Sequence, residues 1–121
     1  MMPGVVAGFP SKPQVPTSEL IPKWGAGWSV GSPAPLATRL GTTVTLSGKF
    51  IASNVQGSGD QQNAGVLPAG YRPGDDLTFP VMVGSTATTL TIQHSWGGLN
   101  ITLVGALNGT LDLTGISFST T

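Results

Sequence analysis

Charge is scarce in this chain. Only 8% of its 121 residues are charged, and five basic groups cancel five acidic ones. A folded surface this poor in charge is covered by Thr, Ser, Gly, Gln and Asn, and a net charge near zero favours association. Such a balance offers no electrostatic field for nucleic acid or an anionic membrane surface. Cysteine is absent, which excludes disulfides, thiolate chemistry and cysteine zinc sites. No stretch approaches the roughly 18 apolar residues of a membrane span. Met1-Met2-Pro3-Gly4 lacks the cationic start and apolar core of a secretory signal. Synthesis in a cytoplasm without membrane insertion is therefore expected. No window carries the 3.6-residue period of a helix.

What the chain has instead is glycine (18), proline (10) and short alternating runs. The sharpest stretch is Leu67-Pro68-Ala69-Gly70-Tyr71-Arg72-Pro73-Gly74, a rigid corner in which two prolines fix φ and two glycines supply turn conformations. It leads into Leu77, Phe79, Val81 and Val83, which recur with period two and predict a strand over 76–84, with Pro80 marking an edge or bulge. Residues 43–52 predict another strand, with Val44, Leu46, Gly48 and Phe50 on the core face. The polar, glycine-punctuated stretch 53–64 reads as a long exposed loop. Leu90, Ile92, His94 and Trp96 alternate up to a Gly97-Gly98 hairpin turn, and Leu99, Ile101 and Leu103 return. A phase slip at Gly115, between Leu113 and Ile116, reads as a β-bulge. About six to eight short strands in one domain predict an all-β fold, an antiparallel β-sandwich or jelly-roll-like barrel.

Residues 1–22 carry five prolines and scattered large apolar residues, Phe9, Val15, Leu20 and Ile21 among them. A pure linker has little use for those side chains. The alternatives are a loose disordered leader and an extended arm that orders on a partner, and the apolar side chains favour an attachment arm, residues 1–22, ahead of a β-sandwich domain, residues 23–121.

Candidate chemistry is sparse. His94 is the single histidine, and Asp112 with Ser95 or Ser117 would complete a nucleophile, base and orienter set only by coincidence, because no nucleophile elbow accompanies them. Its phase with Leu90, Ile92 and Trp96 predicts an inward or interface position. Asp75 and Asp76 are adjacent, so on a strand they point to opposite faces and cannot flank one bond. No calcium-loop or phosphate-loop spacing occurs, so neither an enzyme nor a cofactor is expected. Arg72 reads as a structural cap on carbonyls or a partner of Asp75 or Asp76. The remaining clue is aromatic. Trp24, Trp28, Tyr71 and Trp96 can stack on sugar rings, with Asn, Gln and Asp of 53–64 bonding hydroxyls, although aromatics in so small a domain more often serve the core or a subunit contact.

The order Val44-x-Leu46-x-Gly48, a polar loop, Leu67-Pro68-x-Gly70-Tyr71-Arg72-Pro73, Phe79-Pro80, Ile92 and Leu113-x-Gly115-Ile116-x-Phe118 resembles the β-sandwich modules of tailed-phage virion proteins. These modules occur at tail fibres, minor tail proteins and receptor-binding tips, and the likeness covers about residues 41–119. It implies a homotrimer in the virion, attached to other virion proteins through its N-terminal side and turning loops, here 53–64 and 84–89, toward a host-surface glycan. The absence of a coiled-coil or collagen-like shaft points to a small stand-alone component. A capsid-decorating protein and a free carbohydrate-binding module are the alternatives.

Overall fold

The computed structural model describes residues 15–56 and 58–121. Among them it forms eleven strands and no helix: β1 (Thr17–Leu20), β2 (Trp28–Val30), β3 (Leu36–Leu40), β4 (Thr43–Ser47), β5 (Lys49–Val55), β6 (Ser58–Val66), β7 (Leu77–Val83), β8 (Thr86–Ile92), β9 (Gly98–Val104), β10 (Leu107–Asp112) and β11 (Ser117–Ser119). They make a seven-stranded sheet in the order β2-β5-β10-β7-β8-β9-β6 and a four-stranded sheet in the order β11-β4-β3-β1. Val44, Leu46, Phe50, Leu90, Ile92, Leu99, Ile101, Leu107, Leu111 and Leu113 are all fully enclosed between them. The sequence predicts an all-β antiparallel sandwich or barrel, and the fold observed is all-β with sheets that form a sandwich close to a barrel.

The closure has a definite cause. Strands β2 and β6 are the two edges of the large sheet, and one short segment binds both. Trp24 N–H donates to the Ala64 carbonyl at 3.0 Å and Gly25 N–H to Asn63 at 2.9 Å on β6. A few residues on, Trp28, Ser29 and Val30 pair with Ala52, Ile51 and Phe50 of β5. Residues 22–30 thus cover one edge and add a strand to the other, leaving little unpaired backbone.

Several expectations need correction. The strand expected over 43–52 is two strands: Gly48 sits between them at φ 85°, with its Cα so close to the Ala34 carbonyl that a side chain would collide. The chain passes there from the small sheet to the large one, while Val44, Leu46 and Phe50 keep the predicted core face. The long loop expected over 53–64 is instead mostly strand, since β5 runs to Val55 and β6 begins at Ser58, the two joining opposite parts of the large sheet: β5 pairs with β2 and β10, β6 with β9. Its polarity misleads because β6 is an edge strand whose register against β9 shifts twice, which breaks any alternation. Likewise only Gly84 and Ser85 of the 84–89 loop are a turn, because β8 starts at Thr86. The slip at Gly115 lies in a turn from β10 to β11 in the other sheet, with Gly115 at φ 95°.

The proposed arm also changes at its C-terminal end. Thr17–Leu20 is strand β1, paired with β3, and Ile21 is 1% exposed in the core. Val15 and Leu20 are exposed at this edge. Phe9 lies outside the described residues. Residues 17–22 therefore belong to the globular unit rather than to an appendage.

Strand β7 follows the predicted alternation: Leu77, Phe79 and Val81 pack on the core and Val83 is buried. It pairs with β8 along its whole length but with β10 only at Val83–Leu111. Pro80, which has no N–H, sits where β7 has left β10, so no ladder bond is lost on that side. Where the strands diverge, a cleft of about 360 Å³ opens, lined in part by Leu77, Phe79 and Phe118.

Candidate functional site

The Leu-Pro corner supports the loop between β8 and β9. Strand β8 ends at Ile92, four residues before the sequence pattern suggests. Gln93 N–H donates to the Gly98 carbonyl at 2.9 Å and Gly97 N–H to the Gln93 carbonyl at 2.7 Å, closing a loop over His94, Ser95 and Trp96. From the corner, Leu67 N–H donates to the Gly97 carbonyl at 2.8 Å, and Arg72 Nε donates back to the Leu67 carbonyl at 3.0 Å. Gly97 takes φ 81° against Arg72 Nε and the Leu67 carbonyl, leaving no room for a Cβ. Arg72 is thus the carbonyl cap expected; neither Asp75 nor Asp76 is its partner in an ion pair among the described residues.

Asp76 instead holds His94. One carboxylate oxygen accepts the His94 backbone N–H at 2.9 Å and meets ring Nδ1 at 2.6 Å. The backbone bond, then the ring bond, hold the Asp76 carboxyl below its ordinary value of 3.8. His94 is about half exposed, not inward, because the turn begins before it. Asp112, the other acid considered beside it, accepts the Thr114 N–H at 3.0 Å across a turn. No triad with His94 is formed from it. Among the described residues, no group of three or more His, Cys, Asp or Glu side chains is placed to hold a metal.

The aromatic candidates separate into two sets. Trp28 is 2% and Tyr71 6% exposed, both in the core, and Tyr71 Oη bonds Thr17 Oγ1 at 3.0 Å, fastening the corner to β1. Trp24 is 64% exposed and meets Trp96 edge to face, ring centroids 5.8 Å apart and planes at 68°. The chain brings these two together from opposite ends of the sequence: residues 22–25 run along β6, and the 93–98 loop lies over the end of β9. Trp96 leans over Gly98, where a Cβ would collide with its ring.

Two amides sit beside the pair. The Gln93 Oε1 crowds the same point above Gly98 as the Trp96 ring does. Asn63 lies on β6, carrying Gly25 on its carbonyl and facing Asn100 of β9 in register. Gln93 Oε1, Asn63 Oδ1 and Trp28 Nε1 are all buried without a hydrogen-bond partner. An orphan of this kind costs about 1–3 kcal/mol unless water or a ligand reaches it. The patch formed by Trp24, Trp96, Gln93, Asn63, Asn100 and Gly98 carries no charge. Asn63 falls in the polar stretch the sequence marked; Gln93 gave no signal, since its position beside Trp96 depends on the turn geometry.

No family model and no curated protein matches the chain. Among solved structures, its fold is similar to that in the crystal structure of the receptor binding protein (gp15) of Listeria phage PSA, with a TM-score of 0.69 and 21% sequence identity. The match covers 90% of this chain and 67% of that one. At that identity the likeness is one of fold, and it is the fold that the Leu-Pro corner and its flanking strands imply.

Proposed function

We propose that this chain is a non-enzymatic structural component of a tailed-phage particle, placed at the tail or tail tip, where it assembles as a homotrimer and meets the host surface. The observation that carries the reading is the Trp24–Trp96 pair, an exposed and a half-buried indole held by a braced loop on a fold similar to that of a phage receptor-binding protein. A rigid scaffold presenting paired aromatics suits recognition rather than catalysis. The charge-poor surface supports self-association, and the exposed outer face of β7 and β8 supplies a patch for it. Attachment to other virion proteins falls to the N-terminal stretch.

One observation favours a second reading, a capsid-decorating protein. Strand β1 is exposed along its whole length at the free edge of the small sheet, a geometry suited to adding a strand to a neighbouring shell protein.

Averaged electron images of intact particles, with this chain fitted, test the proposal by position and copy number. A few trimers on the tail are expected. A lattice over the shell would make the chain a decoration protein, and absence from particles would leave a free binding module.

A further inference from the structure

We infer that the patch around Trp24 and Trp96 binds an uncharged saccharide, with a pyranose ring seated against the indoles and its hydroxyl groups donating to the amide oxygens of Gln93 and Asn63. The inference rests on the host-contact reading for where such a sugar is met, but its chemistry stands on the site alone. A pyranose has an apolar C–H face and a polar rim, and the patch has the matching halves. Trp24 offers an open aromatic face, and amides follow immediately beside it.

The amide oxygens set the polarity of the ligand. Gln93 Oε1 and Asn63 Oδ1 are acceptors shut away without a donor, so a ligand rich in O–H or amide N–H groups satisfies what the free protein leaves open. Reaching Gln93 Oε1 requires the Trp96 ring to move off Gly98, which it overlies with that oxygen alongside. Trp96 has the freedom to do so, being half-buried and in edge contact with an exposed Trp24. Binding therefore turns Trp96 and changes its fluorescence.

Lack of charge in the ligand follows from the surroundings. None of the six patch residues is charged; the nearest guanidinium, Arg72, is bonded through Nε to the Leu67 carbonyl and lies against Gly97 rather than against the indoles, and the His94 ring is held by Asp76. Lys23 is the exposed neighbour in sequence. An anionic sugar would find a carboxylate, Asp76, near the loop and no built cradle.

The test is titration of the full chain with cellobiose, maltose, lactose and N,N′-diacetylchitobiose as uncharged probes and digalacturonic acid as the anionic one, read by tryptophan fluorescence and calorimetry. At least one uncharged disaccharide is expected to bind and shift the emission. Trp24→Ala, at an exposed position that folding does not need, should weaken it about tenfold or more, with Trp24→Phe recovering part of the loss. Gln93→Ala should weaken it about threefold to tenfold. Failure of all four uncharged probes, tighter binding of the anionic one, or an affinity untouched by Trp24→Ala would overturn the inference. A chain that sits on the tail but binds none of these sugars sinks the saccharide site alone; a chain that binds sugar but is missing from particles sinks the virion reading alone.

Discussion

Asp76 and His94 share one oxygen: the carboxylate Oδ1 of Asp76 receives both the backbone N–H of His94, at 2.9 Å, and its ring Nδ1, at 2.6 Å. The contact ties the loop bearing Trp96 to the start of β7. Because it holds the Asp76 carboxyl below its ordinary 3.8, the ionised form is favoured in the folded chain. The stabilisation is present above that value and is lost as pH falls through and beneath it. Asp112, lowered by the Thr114 backbone bond, acts with the same sign. Asp76→Asn should therefore flatten, without abolishing, the loss of stability as pH falls below about 4. Urea midpoints across that range check this, and an unchanged acid slope would show that the contact does not persist in solution.

Gly48 is the hinge on which the two sheets meet. Its φ of 85° and its approach to Ala34 leave a Cβ no space, and its carbonyl accepts the Leu113 N–H at 2.9 Å. Gly48→Ala should cost more than about 3 kcal/mol, since strain and collision act together. Gly115 has φ 95° but open space around it, so Gly115→Ala carries backbone strain alone, about 1–2 kcal/mol. Chemical denaturation of both variants measures the difference. Equal losses would mean that the close approach at Gly48 is not what matters.

Arg72 links the corner to the 93–98 loop through the Leu67 carbonyl, and Leu67 in turn holds Gly97. Lysine cannot place a side-chain donor at the Nε position. Arg72→Lys and Arg72→Ala should lose similar stability, about 1–2 kcal/mol, and both should raise amide exchange in 93–98 more than in β9. Hydrogen exchange by mass spectrometry resolves those segments. Full rescue by lysine would reduce Arg72 to a general charge.

The strands legible in the sequence are those that bury one face. Leu77, Phe79, Val81 and Val83 announce β7 because alternation survives wherever one side meets the core. Strand β6 was illegible: it lies at an edge, its register shifts between Leu99 and Asn100 and again near Val104, and its residues are mostly polar. His94 and Trp96 prolong the alternation of Leu90 and Ile92, yet a turn bonded from Gln93 to Gly98 ends the strand first, which moves both side chains to the surface. Half of the site was therefore visible as tryptophans, while its amides come from two strands and a turn, β6, β9 and the 93–98 loop, and depend on tertiary pairing.

The boundary of the N-terminal stretch is testable by two cuts. Removing residues 1–22 deletes β1, Ile21, the Thr17 partner of Tyr71 and the Pro22 carbonyl that accepts Val66 N–H at 3.2 Å. Loss of buried Ile21 alone is worth about 2–5 kcal/mol, so this chain should melt far lower or fail to fold. Cutting after residue 14 keeps every one of those contacts and should leave the melting temperature close to that of the full chain while reducing incorporation into particles. Thermal melts and particle pull-down separate stability from attachment. Equal melting of the two truncations would restore residues 17–22 to the arm.

The outer face of β7 and β8 bears directly on the proposed trimer. Thr78, Pro80 and Met82 face Thr91, Thr89 and Ala87 in register, Thr78 and Thr91 bond at 3.0 Å, and Thr89 reaches Thr102 of β9 at 2.9 Å. The face is flat, hydroxyl-satisfied and without a charge, and Met82 stands on it 50% exposed. Exposed positions of this kind tolerate substitution in an isolated domain, whereas an unpaired ammonium in a closed interface does not. Met82→Lys should therefore leave the fold and the melting of a monomer unaltered but shift the trimer toward monomer by about a hundredfold or more in dissociation constant, as read by sedimentation equilibrium. If the variant remains as associated as the parent chain, the copies meet through another surface, and the exposed edge of β1 becomes the one to test.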